Sequence, residues 1–337
     1  MRIGFNPNKD KKIPPSDFFH QVIIPVYIPH FDDYFKDSFQ ILQYCLESLF
    51  KTSHSRTYIS IINNGSCTEI VTYLNRLHET GKIHEIIHTS SIGKLNAILK
   101  GMAGQNFPLI TMSDADVMFL DGWQKSTYTI FEKFPKSGVV STTPNSKMLR
   151  YYTSNVLFDT FFSKNIKFTK VFDSNAMLKF AESIGNQDLF KPVHLEKYLT
   201  ITKDNLKAVV GSGHFVATYR RDVFNKSITD YSEYKMGSAL STFFDNVALK
   251  KDMWRLSTEQ NYTFHMGNTK ETWMEETIEN LSECNNIILF VKLNDVKSNK
   301  FIVWIKSFVF SRIIFKKLFW QFYLRLKGLT KEQAKQY

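Results

Sequence analysis

The chain has 337 residues, 43% hydrophobic and 15% aromatic, with 30 Phe and a formal charge of +11. That length holds one large domain or a domain with an appendage, and the apolar share is enough for a sizeable core, which excludes a disordered chain. Three scattered cysteines (Cys45, Cys67 and Cys284) form neither a disulfide framework nor a zinc site, and they fit a reducing compartment.

No run of 18 uncharged apolar residues occurs, so no transmembrane span is expected, and residues 1–12 lack the apolar stretch of a signal peptide. The positive charge favours an anionic partner and is unevenly spread. Between Lys300 and Lys327 there are seven Lys or Arg and no Asp or Glu.

After a polar lead-in (residues 1–19), residues 20–28 read as a buried strand stopped near Pro25. A helix follows over 37–51, with Phe39, Leu42, Leu46, Leu49 and Phe50 on one face. Residues 57–62 predict a second strand ended by Asn63-Asn64-Gly65-Ser66, then a helix to about residue 80 and a short strand over 83–88. Ser91-Ile92-Gly93-Lys94 opens a helix through residue 100, and a strand over 109–112 comes next. This alternation predicts an α/β fold with a mostly parallel sheet and right-handed crossovers. Residues 151–203 show no clear period and predict loops and short helices. Strand character returns around Gly211-Ser212-Gly213-His214, residues 241–256 read as helical, and residues 260–268 read as a short strand and turn.

The organising feature is the end of the 109–112 strand, where Asp114 and Asp116 flank Ala115. Ligands of α/β sheets bind outside the carboxyl ends of the strands. Two carboxylates so close repel each other unless a cation or water separates them, so this triplet is a candidate divalent-metal site.

The order of these signals resembles the family 2 glycosyltransferases, inverting enzymes of the GT-A fold, across residues 22–267. The resemblance rests on Ile24-Pro25-Val26-Tyr27, the Asn63-Asn64 turn, Gly93-Lys94-Leu95-Asn96, Asp114-Ala115-Asp116, Gly211-Ser212-Gly213-His214, Phe244-Asp245-Asn246 and His265-Met266-Gly267. It implies a catalytic domain over 20–280, with a nucleotide-binding half (20–120) and an acceptor half (121–280). It also implies transfer of a sugar from a nucleoside-diphosphate donor, such as a UDP-sugar, to a glycan hydroxyl.

By the same resemblance, Pro25, Tyr27, Asn63 and Asn64 face the nucleotide, with amides where the family carries carboxylates. Gly93, Lys94 and Asn96 lie near the diphosphate, where a helix N-terminus and a lysine suit an anion. Asp116 is the expected ligand of Mn²⁺ or Mg²⁺, Asp114 lies toward the ribose or a metal-bound water, and His265 completes the metal shell. Ser212 and His214 are expected at the donor sugar or acceptor, and Asp245 is expected as the catalytic base, since Asn246 cannot take a proton.

The tail (281–337) reads as a basic amphipathic helical segment. Phe308, Phe315, Phe319, Phe322 and Leu326 share one face, and Lys317, Gln321 and Arg325 share the other. With Trp304, Trp320 and Tyr323 it resembles an interfacial anchor for anionic lipid. The combined expectation is a cytoplasmic enzyme, peripheral at the inner face of the cell membrane, acting on a lipid-linked surface polysaccharide or O-antigen intermediate. No nucleic-acid partner is expected, because the basic residues lie among bulky aliphatics. Competing readings are a nucleotidyltransferase of related α/β fold and a non-catalytic nucleotide-sugar-binding protein.

Overall fold

In a computed structural model of the chain, residues 3–224, 231–235, 241–284 and 292–337 are described. The centre is a ten-stranded sheet. Its first strand, β1 (His20–Val26), pairs in parallel with both β2 (Thr57–Asn64) and β4 (Leu109–Ser113), and β3 (Glu85–Thr89) pairs in parallel with β2. Beyond β4 the sheet turns mixed, through β10 (Val216–Arg220), β6 (Ser137–Ser141), β11 (Trp254–Thr258), β9 (Leu206–Val210), β8 (Lys197–Lys203) and β7 (Ile166–Lys170), so that among the described residues its order is β3-β2-β1-β4-β10-β6-β11-β9-β8-β7. The expected α/β architecture is present, with its parallel character concentrated in the half that ends at the Asp-Ala-Asp triplet.

The layering follows the alternation of side chains along β1. Val22 and Ile24 face one way, into a core shared with α1 (Ser38–Thr52) and α2 (Thr68–Glu79). Ile23 faces the other way, against Leu95 and Ile98 of α3 (Lys94–Met102). Both faces of the parallel half are therefore covered by helices, which is why its strands read as continuous apolar runs. A third core lies between the mixed half of the sheet and α4 (Trp123–Lys133).

Some elements escaped the sequence. The stretch over 151–203 holds two sheet strands, β7 (Ile166–Lys170) and β8 (Lys197–Lys203), paired antiparallel at the sheet edge. Each is short and flanked by lysines, so neither gives a run long enough to stand out. The helix expected over 241–256 is a π-turn (Ser241–Asp245) and one helical turn (Val247–Lys250), after which β11 (Trp254–Thr258) enters the sheet.

The tail departs furthest from its expected form. Ile314, Trp320, Tyr323, Leu324, Leu329 and Ala334 are buried in the same core as Tyr128, Phe131, Leu199 and Ile201. Trp320 and Tyr323, expected at a lipid interface, are interior residues. Two of the seven basic residues between Lys300 and Lys327 are interior as well. Lys306 bonds both oxygens of Asp252, at 2.9 and 2.7 Å, and pairs with Asp159 at 2.6 Å. The Lys327 ammonium donates to the carbonyls of Thr160, Phe161 and Ser163.

Candidate active site

Three segments converge at the C-terminal ends of the parallel strands. Asp114 and Asp116 leave β4, whose continuation β5 (Val117–Phe119) pairs antiparallel with β12 (Thr263–His265). In that register His265 sits opposite Val117, and the Met266 amide donates to the Asp116 carbonyl at 2.8 Å. One ligand atom from each of Asp114, Asp116 and His265 lies within 4.8 Å of the others. A separation of 149 positions in sequence (265 − 116) is thus closed by one two-stranded ribbon.

The chemistry of this donor set fits a divalent cation. Two carboxylates and an imidazole supply oxygen and nitrogen donors that a divalent cation can accept. Among the described residues Asp116 Oδ1 is buried with no hydrogen-bond partner, and Oδ2 lies 3.4 Å from His265 Nε2. Burial pushes the Asp116 carboxyl above the usual carboxylate range. His265 and Lys94 pull the other way, while Asp114 adds to the rise. An orphaned carboxylate oxygen in such a place costs free energy unless a ligand satisfies it. The other nitrogen of His265, Nδ1, lies 3.0 Å from Ser183 Oγ, an outer contact that fixes the ring as such contacts do for metal-bound histidines. Ser183 carried no signal in the sequence.

Beside the carboxylates lies a cleft of about 380 Å³ lined by Pro25, Tyr27, Asn64, Gly93, Lys94, Asp114 and Asp116, with Tyr34, Phe35 and Lys235 among the rest. Lys94 forms a short ion pair with Asp114. It opens α3 directly after Gly93, so the lysine and the helix N-terminus point their charge at one place. Gly93 has φ of +88°, and a Cβ there would lie 2.8 Å from the Tyr234 carbonyl. The close approach it permits is therefore to the chain's own segment 231–235, whose Lys235 carbonyl accepts from the Lys94 amide at 2.9 Å.

The remaining sequence candidates divide. Asn64 lines the cleft while its Oδ1 accepts from the Ile92 amide at 2.9 Å. The Asn63 side chain is turned into its own turn: Oδ1 accepts from the Ser66 amide at 3.0 Å, and Nδ2 meets His88 at 2.9 Å. Asn96 grips Ser232 by backbone bonds at 2.8 and 3.0 Å, holding the 231–235 segment over the cleft. Ser212 is buried, its hydroxyl on the Gly213 carbonyl, and is not part of the cleft lining.

His214 is exposed, with Nδ1 3.1 Å from Asp245 Oδ2. Asp245 is 4% exposed and is held by Arg255 Nη2 at 2.7 Å. Sequence reasoning missed Tyr34, Phe35 and Lys235, which lie in turns whose only signal is composition. It also missed Arg255, which falls within the stretch read as helical and lies in β11.

The sequence profile described as Glycosyl transferase family 2 matches residues 22–227. No curated protein sequence matches the chain. Among solved structures the chain is similar to TarS 1-349 of S. aureus, with a TM-score of 0.43 and 12% identity over 74% of this chain and 60% of that one. A complex of the same S. aureus protein with UDP-GlcNAc gives a TM-score of 0.42 and 12% identity over 94% of this chain and 69% of that one. The mannosyltransferase PcManGT of Pyrobaculum calidifontis, in complex with GDP-Man and Mn²⁺, gives 0.42 and 12% identity over 97% of this chain and 77% of that one.

Proposed function

The chain belongs to glycosyl transferase family 2 and is a glycosyltransferase, and on that premise we propose a metal-dependent enzyme that moves a sugar from a nucleoside-diphosphate donor, in the first instance a UDP-sugar, to a glycan hydroxyl with inversion. One observation carries the reading. The cleft that holds Lys94 at a helix N-terminus is also lined by Asp116, one of whose carboxylate oxygens is buried and has no partner among the described residues. An anion site and a cation site side by side are what a diphosphate with its counter-ion requires.

In this reading Asp114, Asp116 and His265 hold Mn²⁺ or Mg²⁺, which would neutralise the charge that develops on the leaving diphosphate. Lys94 exchanges its bond to Asp114 for one to phosphate. Pro25 and Tyr27 bound the space for the nucleotide base, and Asn64, already fixed by the Ile92 amide, offers a polar edge beside it. Asp245 supplies the negative charge that drives loss of the acceptor proton.

The finer part of the proposal concerns place and acceptor. Among the described residues no helix is long and apolar enough to cross a membrane. The helix Lys317–Leu326 buries Trp320, Tyr323 and Leu324, and leaves Leu318, Phe319, Phe322 and Leu326 from 51% to 80% exposed. Arg312, Lys316, Lys317 and Arg325 are exposed around that apolar band. A helix apolar on both sides and basic at its margins suits the headgroup boundary of an anionic bilayer. We assign this face to the membrane, which favours a lipid-linked glycan acceptor. Deleting the tail would tear out core residues, so the clean variant is Phe319→Ser with Phe322→Ser. It should lose binding to phosphatidylglycerol vesicles while folding normally, and unchanged vesicle binding would reject the membrane role.

The enzymatic reading is tested by thermal shift with nucleoside diphosphates and sugar nucleotides, with and without Mn²⁺. A shift with one base that requires Mn²⁺ is expected. A shift indifferent to the metal, or release of pyrophosphate during turnover, would contradict the reading, the second in favour of a nucleotidyltransferase.

A further inference from the structure

We propose that the group that takes the acceptor's proton is the His214 imidazole, and that Asp245 acts through it as a positioning residue. This refines the function proposed above and rests on it. The Asp245 carboxylate is buried and both oxygens are engaged, Oδ1 by Arg255 Nη2 at 2.7 Å and Oδ2 by His214 Nδ1 at 3.1 Å. Arg255 Nη1 also donates to the Asp245 carbonyl at 2.6 Å, and Arg255 itself is 1% exposed. A sugar hydroxyl reaching Asp245 would have to enter beside both partners at a residue only 4% exposed.

His214 is the accessible member of the set, with 40% of its side chain exposed. Its Nδ1 is committed to the carboxylate, so Nε2 is the nitrogen left to exchange a proton. Its place in the chain is tied to the metal motif, because the Phe215 carbonyl accepts from the Asp114 amide at 2.8 Å. The loop that carries it is clamped from below. Arg255 Nη2 makes a short bond to the Ser212 carbonyl as well as to Asp245, so one guanidinium fixes both the loop and the carboxylate. Gly211 enters the loop at φ +106°, where a Cβ would meet the Met148 carbonyl at 2.7 Å. A charged group that orients one imidazole nitrogen while the other works on a hydroxyl is the logic of hydrolytic triads.

The acceptor oxygen forms a bond to the anomeric carbon as the bond from that carbon to the diphosphate oxygen breaks. The bonding pair leaves with the nucleoside diphosphate. The hydroxyl proton passes to His214 Nε2, giving an imidazolium whose Nδ1–H faces the Asp245 carboxylate, and water removes the proton afterwards.

His214→Asn separates the alternatives. The Asn amide can still donate to Asp245 from the place of Nδ1, the carboxylate is intact, and only the proton-accepting nitrogen is gone. Release of nucleoside diphosphate from the sugar nucleotide picked out by thermal shift is followed in wild type, His214→Asn, Asp245→Asn and the double variant. The expected result is a fall in kcat of about 10²- to 10⁴-fold in His214→Asn with the nucleotide-induced thermal shift unchanged. The double variant should lose no more than the worse single variant, as groups acting as one unit do.

Near-wild-type turnover of His214→Asn would return the proton to Asp245 and overturn the proposal. So would loss of nucleotide binding in that variant, which would make His214 a donor contact, or losses that add in the double variant. An inactive wild type would instead count against the transferase reading.

Discussion

Two charged clusters lie at opposite functions in this molecule. In the cluster under the tail, Lys306 and Lys136 face Asp159 and Asp252. Every carboxylate oxygen there has a donor: Lys306 and Lys136 at 2.6 to 3.1 Å, with the Trp254 indole adding a bond at 2.9 Å. At the end of β4, Asp114, Asp116, His265 and Lys94 also bring carboxylates and bases together, yet Asp116 Oδ1 has no partner among the described residues. Composition does not separate the two, since each contains two carboxylates and two basic side chains. Satisfaction does. A cluster that is complete within the chain holds structure, and one left short of a partner marks where a ligand belongs.

The largest expected effect breaks the incomplete cluster. Asp116→Asn should lower Mn²⁺-dependent turnover by about 10²- to 10³-fold. Because it removes a buried carboxylate without a full set of partners, thermal stability should hold or rise. A stability loss like that of a core mutant would place Asp116 among structural residues. Breaking the complete cluster should do the reverse. Lys306→Met leaves one oxygen of Asp252 and one of Asp159 without a donor while Lys136 stays on the other two, and should cost about 1–3 kcal/mol in denaturant unfolding, with turnover per folded molecule unchanged.

The third prediction uses pH. Burial, and next the Arg56 charge, push His54 down to about 4 from an ordinary 6.5. The unfolded chain therefore binds more protons between those values, and stability should drain by about 3 kcal/mol as pH falls from 6.5 through 4. The slope should shrink in His54→Gln. Asp159, under the tail, should stay silent in that window. Despite burial, bonds from Lys136, Lys306 and Trp254 hold Asp159 below its usual range, so its contribution is lost only at lower pH. The smallest effect belongs to the turn: Asn63→Asp should change nucleotide binding little, since that side chain faces Ser66 and His88.

How much of this was legible in the sequence follows the same division. Strands of the parallel half announce themselves because both faces are buried, as at Ile23 and Ile24. Asp114-Ala115-Asp116 was legible because a local pattern carries its chemistry. His265 was legible only through family likeness, since a ribbon joins it to Asp116 from far along the chain. Arg255 and Ser183 were not legible, because a strand arginine and a helix serine gain their roles only from what they touch. The tail misled for a physical reason. A helix that is apolar on two faces reads as one thick stripe, and nothing in the spacing says that Trp320 and Tyr323 turn inward while Phe319 and Phe322 turn out.

The most direct test of the central claim is a count of bound Mn²⁺ by electron paramagnetic resonance in the presence of UDP, for wild type, Asp116→Asn and Lys306→Met. The account predicts one ion per chain in wild type and Lys306→Met, and none in Asp116→Asn. Equal Mn²⁺ occupancy in wild type and Asp116→Asn would contradict it.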